Sequence, residues 1–160
     1  MSFLLQTSLR KASTTSCYHV QKRAFFNWFL QSGLTGRVKQ PNQTFLAARD
    51  EDELATTLLG SSKTPLILNF TTRDNVTCNK ITGALTRIVL LETEKSINLV
   101  DIEMEWFENR NLPMKYNVSK IPTLVAIRNT FPVDQYIPNN LDNKEVNWID
   151  LKEWVEKNAA

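Results

Sequence analysis

From residue 43 onward the chain alternates between two periodicities, and that alternation restricts the fold more than any other feature. Short runs rich in branched residues, PLILNF at 65–70, SINLVDIE at 96–103 and TLVAIRN at 123–129, read as strands. Between them lie stretches whose apolar residues recur every three or four positions. DEDELATTLLG at 50–60 pairs Asp50 with Glu53 at capping-box spacing, puts Leu54 and Leu58 on one face and closes on Gly60. TCNKITGALTRIVLLETE at 77–94 aligns Ile81, Leu85 and Ile88. EWFENRNL is expected to form a short helix halted by Pro113, and VNWIDLKEWVEKNAA a closing helix with Trp148, Leu151, Trp154 and Val155 inward and Asn147 as N-cap. A short strand around Phe45 and a last strand VDQYIP, reached through NTFP, complete the order β-α-β-α-β-α-β-β-α. Strands separated by helices are expected to start parallel, and the two joined by NTFP to form an antiparallel hairpin. The fold class is therefore α/β, a three-layer sandwich with a mixed central sheet and helices on both faces.

At 160 residues and 42% hydrophobic composition the chain supports one domain with a proper core. Its charge is unevenly spread: residues 1–49 hold seven Lys/Arg and no acid, and residues 50–160 hold twelve Lys/Arg against seventeen acids. The acid-free, Ser/Thr-rich start has the composition of a mitochondrial transit peptide, expected over residues 1–25 with a cut near Arg23. Its only apolar core, FLL, is too short for a secretory signal. Residues 26–42, with the aromatic run FFNWFL and two glycines, read as an extension and linker, and residues 43–160 as the folded domain. No stretch reaches the roughly 20 apolar residues that a membrane-spanning helix needs. Four Asn-x-Ser/Thr sequons, at Asn42, Asn69, Asn75 and Asn117, carry no glycosylation expectation in a matrix protein. Because the domain is net acidic and its basic residues are dispersed, nucleic acid is not an expected partner.

Removing the presequence would remove His19, the only histidine, and Cys17. The remaining chain would have one thiol, Cys78, which excludes Ser/His and Cys/His catalysis, Cys/His zinc sites and an internal disulfide. No cofactor and no metal is expected.

Two motifs carry a resemblance. LILNFTTRDNVTCNKI at 66–81 has an apolar strand, a bend and a cysteine at the head of a helix, and PMKYNVSKIPTLVAIRN at 113–129 has Ile-Pro-Thr just before a branched strand. Together they resemble the thioredoxin family, most strongly over 65–129, with the element order extending the likeness to about 43–158. The resemblance implies a cis peptide bond before Pro122, beside the active-site position. It also marks the departures. Asn75 stands where the family has its nucleophilic cysteine, so that Cys-Gly-Pro-Cys has become Asn-Val-Thr-Cys. Asn69 replaces the buried acid, and Asp74 the tryptophan before the motif. A dithiol cycle needs two thiols, and this domain has one.

Cys78 is the one candidate catalytic residue. At the first turn of a helix near Lys80 it can act as a monothiol, with glutathione or a partner thiol supplying the second sulfur. The competing reading, favoured because no base is available to sharpen the thiol, is a small buried hydrophobe. The family also binds extended segments of partner proteins along the backbone before the cis-proline, which needs no cysteine. On that likeness Asp74, Asn75, Val76, Lys120, Ile121, Pro122 and Thr123 are the expected partner-binding residues. The function expected is thus that of a protein-binding or assembly module and not of an enzyme, with monothiol oxidoreductase as the alternative. Trp106 and Phe107 read as one partner-facing and one core residue, and Asp101, Glu103, Glu105 and Glu108 as a solvated acidic face.

Overall fold

The computed structural model describes residues 41–138 and 145–160. The expected transit peptide and nearly all of the extension lie outside the described residues. Helix α1, Glu51–Gly60, starts where Asp50 accepts a hydrogen bond from the Glu53 amide at 2.7 Å; Glu53 reaches back to the Arg49 amide at 2.9 Å. Strand β1, Leu66–Thr71, is buried along all six residues, as befits a central strand covered on both faces. Helix α2, Val76–Arg87, buries Cys78, Ile81, Ala84 and Leu85, and runs into a π-helical turn, Ile88–Glu92, that keeps Ile88 and Val89 inside. Strand β2 covers Asn98–Glu103, a 3₁₀ segment Phe107–Asn111, helix α3 Leu112–Lys115, strand β3 Thr123–Arg128 and strand β4 Phe131–Tyr136. Helix α4, Trp148–Asn158, is capped by Asn147, whose side-chain oxygen accepts from the Asp150 amide.

The sheet order is β2-β1-β3-β4, with β1 parallel to β2 and β3 antiparallel to both β1 and β4. Two apolar layers flank it. On one face Ile67, Leu99, Leu124 and Ala126 pack against Ile81 and Leu85 of α2, Ile88 of the π-helical turn and Leu151 and Val155 of α4. On the other, Leu66, Leu68, Phe70, Val100 and Val125 pack against Leu54 of α1 and Leu112 and Tyr116 of the α3 region. Helices on both faces of a mixed sheet make the α/β sandwich.

Five expectations need correction. The strand around Phe45 is reduced to two parallel bridges, Thr44 to Leu99 and Ala48 to Ile102. Four steps on one chain against three on the other leave an extra residue, and Leu46 is pushed out to 92% exposure. Strand β3 is antiparallel to β1, not parallel. Its connection from β2 carries only a 3₁₀ segment and one helical turn and stays at one end of the sheet, so that Thr123 enters β3 opposite Phe70 near the end of β1. Pro113 does not halt a helix: it opens α3, where a missing N–H costs nothing. The last strand begins at Phe131, because Asn129 and Thr130, both at positive φ of 51° and 69°, make a two-residue turn of the kind that matches strand twist. Asn42, assigned to the extension, is fastened to the domain: its amide donates to the Val89 and Lys95 carbonyls and its oxygen accepts from the Ile97 amide.

Candidate functional site

The residues singled out in the sequence meet where β1 ends, α2 begins and β3 starts. Asn75 takes an extended conformation and caps α2; its side-chain oxygen accepts from the amides of Thr77 at 2.9 Å and Cys78 at 3.1 Å. The head of α2 is thus occupied by an amide that uses the helix's free N–H groups for itself. Cys78 is 0% exposed, and its Sγ lies 3.5 Å from the Thr72 hydroxyl. A sulfur so enclosed meets neither a disulfide nor a small thiol without local opening.

Across from it, the Ile121–Pro122 peptide is cis. Thr123 is fully buried, and its hydroxyl donates to the Lys120 carbonyl at 2.7 Å, closing the turn before β3. Among the described residues no hydrogen bond engages the backbone amide or carbonyl of Ile121, which leaves one residue's main-chain pair open for an added strand. Ile121 is 36% exposed and Val76 68%, so apolar side chains flank that open backbone. Asp74, exposed and at φ 57°, precedes Asn75.

Three features went unseen in the sequence. The acidic run is a solvated face only in part: Glu105 and Glu108 are exposed, but Glu103 is buried, at 8% exposure, and Asp101 half-buried. Asp101 lies opposite Asn69 in the parallel register, and the Asn69 amide donates to it at 2.7 Å and to Thr82 at 2.8 Å. A half-buried carboxyl on β2 thus lies against the buried amide of β1. Burial pushes the Asp101 carboxyl up; the Asn69 bond pulls it down by less, and the Glu103 charge adds to the rise. The buried Asn69 carbonyl oxygen has no partner among the described residues. Second, Trp106 and Phe107 are both exposed, at 40% and 69%, so neither is a core residue. Buried Asn109 takes that role in the loop, donating to the carbonyls of Ala48 and Glu103. Third, an open groove of about 760 Å³ runs between the bulged segment and α1, lined by Leu46, Arg49, Asp52, Glu53, Thr56 and Arg73. None of the residues expected to bind a partner lines it.

Among the described residues no group of three His, Cys, Asp or Glu converges as a metal site, and no helix is long and apolar enough to cross a membrane.

No family model and no curated relative matches the chain. Solved structures do. A reduced thioredoxin pre-protein from Schistosoma mansoni is 18% identical, with a TM-score of 0.54, over 74% of this chain and 99% of that one. A mutant thioredoxin from Halobacterium salinarum is 17% identical, with a TM-score of 0.57, over 76% and 95%. Oxidized thioredoxin O2 from Arabidopsis thaliana is 19% identical, with a TM-score of 0.54, over 71% and 92%. The chain has a thioredoxin-like fold.

Proposed function

We propose that this protein is a redox-silent member of the thioredoxin-like architecture that works by binding: an extended segment of another protein lies along Ile121, between Val76 and Lys120. One observation carries the reading. The only thiol at the site is wholly buried while the place of its partner holds a capping amide, yet the backbone of Ile121 beside them stays open. Strand addition uses main-chain groups for affinity and alternate side-chain pockets for specificity, so a buried thiol without a second one leaves it intact. The basic, acid-free N-terminal composition supports action in the mitochondrial matrix, as an assembly factor or a subunit of a larger complex.

The test is a comparison of proteins captured from mitochondrial extract by full-length wild type, Cys78→Ser and Ile121→Asp. The reading predicts the same captured set for wild type and Cys78→Ser, and loss of that set with Ile121→Asp at unchanged melting temperature. Capture that requires Cys78, or that survives the charge at Ile121, contradicts it.

A further inference from the structure

The loop that carries Asp74 and Asn75 joins β1 to Val76, the first residue of α2, without a proline to stiffen it. What holds it comes from the end of β2. The guanidinium of Arg73 donates through Nε to Glu103 Oε1 at 3.0 Å and through Nη2 to the same oxygen. The other Glu103 oxygen accepts from the Trp106 indole at 2.8 Å. Trp106 in turn lies under Arg49, whose guanidinium carbon is 5.5 Å from the ring centroid. The backbone amide of Arg73 donates to Glu105, so both ends of that residue are fixed to the same neighbouring segment. Both Glu103 carboxylate oxygens are thus engaged, and Asn109 holds the Glu103 carbonyl from below.

We infer that the Arg73–Glu103 ion pair, completed by Trp106 and Arg49, is a clasp that positions the partner-facing loop 73–76 by charge. The functional side of this inference rests on the groove reading; the mechanical side does not. Arg73 is a positioning residue: its side chain is 64% exposed, but it is anchored to a carboxylate that is only 10% exposed. A buried carboxylate whose partner is removed is left uncompensated, which makes such a pair far more demanding of its geometry than a surface pair. The charged groups around the clasp are Arg73 and Arg49 facing Glu103, Asp101 along β2, and Glu105 and Asp74 near Arg73. Burial pushes the Glu103 carboxyl up, but the bonds from Arg73 and Trp106 and the charges of Arg73 and Arg49 outweigh it, and the net direction is down. A depressed folded-state value means that the clasp holds above the ordinary carboxylate range and is released as pH falls through the folded value.

The experiment is amide hydrogen exchange, resolved by NMR for the hydrogen-bonded amides of Arg73, Thr77 and Cys78 in the full chain, for wild type, Glu103→Gln, Arg73→Met and Arg73→Lys. Loop protection should fall by about tenfold or more in Glu103→Gln and Arg73→Met, with β1 and β3 unchanged, and Arg73→Lys should recover part of it. In wild type, protection of the Thr77 and Cys78 amides should also drop as pH falls below the ordinary carboxylate range, a step missing from Glu103→Gln. Arg73→Met, changed at an exposed side chain, keeps the test open if Glu103→Gln does not fold. Equal loop protection in all four chains, with the same pH profile, overturns the clasp. No partner enters this measurement, so its failure is separate from a failure of the capture experiment.

Discussion

Asn75 shows how a residue with no nucleophilic chemistry can set the local structure of a site. Its amide cannot attack a disulfide, but its oxygen satisfies two of the amides that begin α2. Asn75→Ala should therefore cost about 0.5–2 kcal/mol of stability in urea unfolding, the range for a lost N-cap; no loss would mean that the cap is not stabilising α2. Asp101 makes an opposite kind of statement. Because burial raises its folded-state value, its contribution to stability is complete below the unfolded carboxyl value of about 3.9 and is lost as pH rises through the folded value. Asp101→Asn keeps an oxygen for the Asn69 amide and removes the buried charge. Its stability relative to wild type should accordingly increase between pH 3 and pH 7, and a flat difference across that range would show that the carboxyl is not strained by its burial. Neither effect was legible in the sequence, where Asp101 belonged to an alternation of acids and apolar residues that reads as a surface. Register decided otherwise: pairing with Asn69 in the parallel ladder turns Asp101 toward α2 and Thr82.

The elements with strong periodicity were legible, and those defined by partners or by backbone strain were not. Ile81, Leu85 and Ile88 declare α2, and the Asp50 to Glu53 spacing declares the start of α1, because both signals are local. The direction of β3 depends on where the chain travels between 104 and 122, and nothing in that stretch has a period long enough to say. The bulge at Leu46 follows from a mismatch with β2 that only the pairing reveals. The β3–β4 turn was misplaced by two residues because Asn129-Thr130 is not the Asn-Gly or Asp-Gly pair that such turns prefer. Thr130 is a branched residue at φ 69°, a conformation that costs an L-residue about 1–2 kcal/mol. Thr130→Gly should raise stability by about 1 kcal/mol, read as a shift in the urea midpoint without a change in slope. A decrease would show that the Thr130 hydroxyl bond to the Asn129 carbonyl, at 2.6 Å, outweighs the relief of the backbone.

On the scale of the whole molecule, two helix layers enclose one sheet and leave a single end of it, the C-terminal ends of β1 and β2 and the entry to β3, for the candidate site. The layers belong to one cooperative unit, since β1 contributes Ile67 to one face and Leu66, Leu68 and Phe70 to the other. Leu85→Ala, at a position 0% exposed, should cost about 2–5 kcal/mol and lower the urea midpoint followed by Trp154 and by Tyr116 alike, although the two aromatics lie in different layers. Two separate transitions would mean that the layers unfold independently. The fold was readable from the alternation of elements and from the Ile-Pro-Thr that precedes β3; that Cys78 has no second thiol within the motif was readable from Asn75. The inaccessibility of the remaining sulfur was not, since burial at the head of a helix depends on what Thr72 and the β1 side pack against it.

That inaccessibility is the claim on which the binding reading stands, and it is open to direct measurement. The alkylation rate of Cys78, followed by mass spectrometry of its own peptide so that Cys17 does not contribute, should be compared between the native full chain and the same chain in urea from pH 6 to pH 9. The structure predicts protection of the native thiol at every pH, with alkylation appearing only as the chain unfolds. A native rate that matches or exceeds the unfolded rate would mean an exposed, reactive sulfur, and would contradict the account of this protein as a binder without redox chemistry.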